Sequence, residues 1–152
     1  MKIMLPVFGA DDAKLILDFV CNYHWPPHAQ FKVIHVLGGS DTDTSFAISE
    51  NDAKELVTRV ANRLETYVPD TQVRSEVVYG AAIYEILTAA STWKSDMIVM
   101  GYRSRRTVES SMMASVSKAV SVQAPCSVVI IRPPELPAAA SQKDVAVCAE
   151  AV

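Results

Sequence analysis

Two apolar runs of four, Met97–Met100 and Val128–Ile131, constrain this 152-residue chain more than any other feature. Gly101 follows the first and Ala124-Pro125 precedes the second, so both are bounded by turn signals. Short apolar runs without alternation suit strands buried on both faces, the situation of a strand inside a parallel sheet. Parallel neighbours need a crossover, usually a helix. Between the runs, Met112, Met113, Val116, Ala119 and Val120 have helical spacing, after a loop holding Arg103, Ser104, Arg105, Arg106, Thr107, Ser110 and Ser111. Strand, polar loop and helix N-terminus in that order are how α/β proteins present backbone N–H groups to a phosphate.

The rest of the chain repeats the alternation. Ile3–Phe8 reads as a strand with one ladder N–H missing at Pro6. Gly9-Ala10 ends it, and Asp11 or Asp12 is placed to cap a helix whose buried face is Leu15, Ile16, Phe19, Val20 and Tyr23. His24-Trp25-Pro26-Pro27-His28 stops that helix. Phe31–Leu37 is a second strand, released by Gly38-Gly39 into a polar loop. Ser49 with Asp52 forms a capping box with the shorter acid, ahead of the cleanest helical stripe: Ala53, Leu56, Val57, Val60, Ala61, Leu64 and Val68. Past Pro69-Asp70, Val73, Ser75, Val77 and Tyr79 alternate with more polar neighbours, which predicts a half-exposed strand at a sheet edge. Gly80 then turns into a helix with Ile83, Ile86, Leu87 and Ala90 inward.

Strands and helices alternating in this way predict one α/β domain over residues 1–133, an open doubly wound parallel sheet with helices on both faces. Half of the residues are hydrophobic, enough for a sizeable core. Any site belongs beyond the carboxyl ends of the strands, at Phe8-Gly9, Leu37-Gly38, Tyr79-Gly80 and Gly101-Tyr102. Residues 134–152, rich in proline and alanine, read as a tail that packs loosely or not at all.

Several function classes recede. A formal charge of −3 argues against a nucleic-acid surface. No apolar run approaches the roughly 18 residues of a membrane span, and Met1-Lys2 leads into a strand rather than a signal peptide. Cys21, Cys126 and Cys148 are odd in number and far apart, which reads as reduced thiols in a cytosolic protein. Cys126 is expected to be buried and Cys148 exposed. There is no Walker loop, no dinucleotide fingerprint, and no nucleophile with a recognisable base. His24 and His28 have the offset of two helical metal ligands, but Pro26-Pro27 break the helix between them, so no metal site is assigned. His35 is read as a core histidine, Asp41 and Asp43 as turn formers rather than Mg²⁺ ligands, and the methionines as core filler.

The strings Ile3-Met-Leu-Pro-Val-Phe-Gly9, Val33-Ile-His-Val36, Asp96-Met-Ile-Val-Met-Gly101, Ser115-Val-Ser-Lys-Ala-Val120 and Ala124-Pro-Cys-Ser-Val-Val-Ile-Ile-Arg132 resemble the universal stress protein family over about residues 2–133. The resemblance implies a five-stranded parallel sheet in the order 3-2-1-4-5, a cytoplasmic stress-response role, and a homodimer paired through the fifth strand. The sequence supports the pairing independently. An edge strand of Val128, Val129, Ile130 and Ile131 carries no charge or bulge to blunt it, unless the following tail covers it.

Many members of that family bind ATP through a glycine, two residues, a second glycine, nine residues, then glycine and a hydroxyl residue. Aligned here, Gly101 and Ser115 match, while Ser104 and Ala114 replace the second and third glycines. Phe8 stands where the family's first strand ends in aspartate. Each change removes backbone freedom or a carboxylate and adds bulk. The resemblance therefore implies a stress protein that is not an enzyme, a binding and regulatory module with a degenerate nucleotide pocket. The alternative is an ATP- or AMP-binding switch, or slow ATPase, with a pocket built from Gly9, Leu37, Gly101, Arg103 and Ser115. The arginine cluster leaves weak binding of a phosphate-bearing ligand open beside its plainer reading as a solvated basic loop.

Overall fold

The computed structural model describes residues 1–38, 48–102 and 108–132, with backbone alone over 108–115. Its elements are β1 (Lys2–Pro6), α1 (Ala10–Asn22), β2 (Gln30–Leu37), α2 (Glu50–Tyr67), β3 (Gln72–Tyr79), α3 (Ala82–Trp93), β4 (Met97–Gly101), α4 (Val108–Gln123) and β5 (Ser127–Ile131). The strands form one sheet in the order β3-β2-β1-β4-β5, every neighbouring pair parallel. Both apolar runs are strands, and β3 is an edge.

Alternation along β1 sorts the core into two layers, because successive side chains leave a strand on opposite faces. Ile3, Leu5 and Val7 join Phe31, Val33 and Val99 under Ile16 and Val20 of α1 and Leu56, Val60 and Leu64 of α2. Met4 joins Ile34, Ile98 and Met100 under Ile86 and Ala90 of α3 and Val120 of α4. Each fully buried aliphatic or aromatic side chain contributes roughly 1.5–3 kcal/mol by removal from water.

The helix ends follow local chemistry in part. At α2 the N-cap Ser49 accepts the Asp52 N–H at 3.1 Å, and its hydroxyl donates to Asp52 Oδ2 at 2.7 Å. Past α2, Asp70 takes φ 56°, a left-handed value that aspartate tolerates in turns. At α1 the N-cap is Gly9, with no side-chain cap, rather than Asp11 or Asp12. Tyr23, expected inward, is 53% exposed and serves as the C-cap of α1. Its ring stands against Phe19 and Trp25 at the surface, since the helix has run out before it reaches the core. No described helix is long and apolar enough to cross a membrane.

The strand ladders are uneven around β1. Its register with β2 runs from Lys2–Gln30 to Pro6–Ile34, and the Val7 N–H donates to Ile34 O at 2.9 Å beyond the last pair. With β4 the register is Ile3–Met97 and Met4–Ile98 only. Polar groups two residues apart on a strand face the same neighbour. Lys2 O accepts the Asp96 N–H, so Lys2, Met4 and Pro6 face β4. Pro6 has no N–H to donate there. This is also why the strand stops at Pro6 rather than running to Phe8.

Candidate functional site

The point where chain order reverses, between β1 and β4, is where an open α/β sheet offers a ligand crevice. Pro6 withdraws one rung of the ladder at this place. Phe8 and Gly9 then lead out of β1, and Gly101 and Tyr102 end β4.

Asp12 stands between these two strand ends. It lies in the first turn of α1 and is 1% exposed. Its Oδ2 accepts the Phe8 N–H at 3.0 Å, so the helix reaches back to hold the loop that precedes it. Its Oδ1 lies against the open face of Gly101, where a Cβ would come within 1.8 Å of that oxygen. No real Cβ approaches so closely. Gly101 is thus needed for close approach, and the group that approaches is a carboxylate of the same chain. In the sequence Asp12 reads as a cap because acids gather at helix starts. The signal pointing elsewhere was its place four and eight residues before Ile16 and Val20, in the buried stripe of α1.

The Phe8 side chain packs against the core layer under α3 and α4, which contains Met4, Ile34 and Met100. Gly9 is extended, with φ −178°, and its carbonyl accepts the Ala13 N–H at 2.9 Å. Leu37 is half-buried at the end of β2, and its carbonyl takes the Gly80 N–H at 3.0 Å, which ties it toward β3. Gly80 has φ 144°, and a Cβ there would meet Glu85 Oε1 at 2.5 Å, so this turn requires glycine. The Tyr102 N–H donates to Ile131 O at 2.7 Å, and Arg132 lies 4.5 Å over its ring. The structure thus brings Phe8, Gly9, Asp12 and Gly101 together. Arg103, Ser104, Arg105, Arg106 and Thr107 lie outside the described residues, as do Asp41, Asp43, Cys148 and the whole 134–152 tail. Ser110, Ser111, Met112, Met113, Ala114 and Ser115 lie in α4, their side chains outside the description.

Beneath the crevice His35 is buried, its Nδ1 bonded to Val7 O at 2.8 Å. Burial pushes its pKa below the usual imidazole range, and the bond to the Val7 carbonyl opposes that shift. It is a core histidine satisfied by the backbone. His24 and His28 are exposed on either side of exposed Pro26 and Pro27. Among the described residues no group of three or more His, Cys, Asp or Glu could hold a metal ion. Cys126 is half-buried rather than buried, and burial chiefly, then the Asp96 charge, raises its thiol pKa.

Comparison with known proteins identifies the family and the fold. The universal stress protein family model matches residues 1–132. Among solved structures, the chain is similar to the universal stress protein UspA from Lactobacillus plantarum, with 20% identity and a TM-score of 0.69, over 87% of this chain and 97% of that one. It is also similar to the universal stress protein from Archaeoglobus fulgidus in complex with dAMP, with 20% identity and a TM-score of 0.62, over 86% and 97% of the two chains. A universal stress protein family protein from Arabidopsis thaliana with AMP bound shows 15% identity and a TM-score of 0.61, over 87% and 91%. These structural likenesses establish the shared fold. No curated protein matches the chain.

Proposed function

Because this chain belongs to the universal stress protein family, we propose that it is a cytoplasmic stress-response module, a homodimer that acts by binding other proteins and whose crevice takes no ATP. The observation that carries this reading is the Asp12 carboxylate packed on the open face of Gly101. Atoms of a phosphate could not share that face without displacing a buried side chain. Phe8 adds an apolar ring where the resemblance implies a carboxylate.

The homodimer rests on β5. It is an edge of the sheet, and Val128, Val129, Ile130 and Ile131 are half-buried in a single protomer with no charge among them. A second copy pairing along this edge would satisfy its backbone groups.

A second reading keeps a working adenine-nucleotide switch or slow ATPase at Gly9, Leu37, Gly101, Arg103 and Ser115. What favours it is the early end of the β1–β4 ladder, together with an N-terminus of α1 that has no side-chain cap. Structural neighbours with dAMP and AMP bound make such ligands the ones to try. Calorimetric titration of ATP, ADP and AMP into the purified protein separates the two. The first reading expects no heat of binding for ATP at millimolar ligand, and saturable micromolar ATP binding would overturn it.

A further inference from the structure

A groove between α1 and α2 lies outside the crevice, and we propose that it docks an acidic amphipathic helix of another protein. Its volume is about 510 Å³. Ala13, Leu17 and Cys21 of α1, one helical turn apart from each other, face Leu56 and Val60 of α2 across an apolar floor. Leu17 and Cys21 are only half-buried, so part of this floor is left to solvent. Burial still raises the Cys21 thiol pKa, Arg63 opposing and Asp18 adding to that shift. From Ala10 to Asn22 the trough is about 18 Å long at the helical rise, a length matched by three turns of a third helix.

The rim sets the sign of the partner. Lys14, Arg59 and Arg63 line the groove against one acid, Asp18, on a chain whose net charge is −3. Arg59 is held by Glu55 at 2.6 Å in an exposed pair, which contributes little and leaves the guanidinium open to exchange. Among the described residues Lys14 and Arg63 have no ion-pair partner. Arg63 instead lies 5.3 Å over the ring of Tyr67, itself 56% exposed at the end of the trough. Exposed tyrosine and arginine beside an apolar floor are the residue types that anchor interfaces. A helix laid in the trough would place apolar residues at i, i+4 and i+7 on the floor. Its acidic flanks would then meet Lys14 on one wall and Arg59 and Arg63 on the other.

This inference rests on reading the protein as a partner-binding module, and its test is separate from the nucleotide titration. A fluorescent designed helix of about 16 residues, with leucine and alanine on one face and glutamate elsewhere, is titrated into the full-length protein by anisotropy. A companion peptide carries lysine in place of glutamate. Saturable binding of the acidic peptide alone is expected, weakened about tenfold or more by Lys14→Glu with Arg63→Glu, and weakened by raising salt from about 50 to about 500 mM. Amide NMR shifts in the wild-type protein should then centre on Leu17, Cys21 and Val60. Equal binding of both peptides, no saturable binding at millimolar protein, indifference to the double variant, or shifts confined to β5 or the crevice would each overturn the proposal. So would concentration-dependent shifts at the groove without peptide, which would give it to a second copy. If the peptide fails while ATP also gives no heat, the groove assignment falls and the crevice reading stands.

Discussion

On one flank β1 is zipped to β2 along its whole length, with Val7 adding a further bond to Ile34. On the other it holds β4 at Ile3 and Met4 and then parts from it. The strand is the same, and the difference comes from single residues. Pro6 lacks the donor that would continue the ladder toward β4. Gly101 lacks the side chain that would stand in the resulting gap, and Asp12 occupies the space. The closed flank is ordinary core. On the open flank the space beside Gly101 holds a carboxylate of the same chain.

The largest expected effect is on the closed flank. Phe31 is fully buried in β2 and meets Trp25 edge-on at 5.4 Å. Phe31→Ala should lower unfolding free energy by about 3–5 kcal/mol in urea denaturation, because neighbours close only partly over the cavity. A loss below about 1 kcal/mol would mean that this layer is not close-packed. On the open flank, Gly101→Ala should cost about 1–3 kcal/mol through overpacking against Asp12. Combining it with Asp12→Ala should recover part of that loss, giving a coupling of about 0.5 kcal/mol or more in a double-mutant cycle. Strict additivity would show that the two residues do not share the space.

A smaller effect concerns the tie between His35 and Val7 at the last rung of the closed flank. The folded state holds the His35 pKa below its unfolded value near 6.5, so protonation favours the unfolded chain. Its contribution is therefore intact above about pH 6.5, declines as pH falls toward the folded value, and levels off below that. Urea midpoints between neutral and mildly acidic pH should fall less steeply in His35→Gln than in the wild type. Equal slopes would place the acid sensitivity in other groups.

These contrasts also explain what could be read from the sequence. The buried strand β4, the edge position of β3, the Ser49 cap and the core role of His35 follow from local periodicity and residue chemistry, whereas β5, whose apolar run suits a strand buried on both faces, is a half-buried edge. The strand order came from the family resemblance, because periodicity does not say which strands are neighbours. Asp12 was legible as an acid near a helix start and illegible as a lining group. Its burial depends on the absence of a side chain at Gly101, a residue far along the chain. Tyr23 misled because helical spacing continues past the point where the helix has anything to pack on.

The central proposal is that Asp12 leaves no room for adenosine phosphates beside Gly101. Its most direct test is to denature protein purified from its own cells without added nucleotide and analyse the released small molecules by mass spectrometry. The account predicts no adenine nucleotide above trace amounts, and stoichiometric ATP, ADP or AMP carried through purification would contradict it.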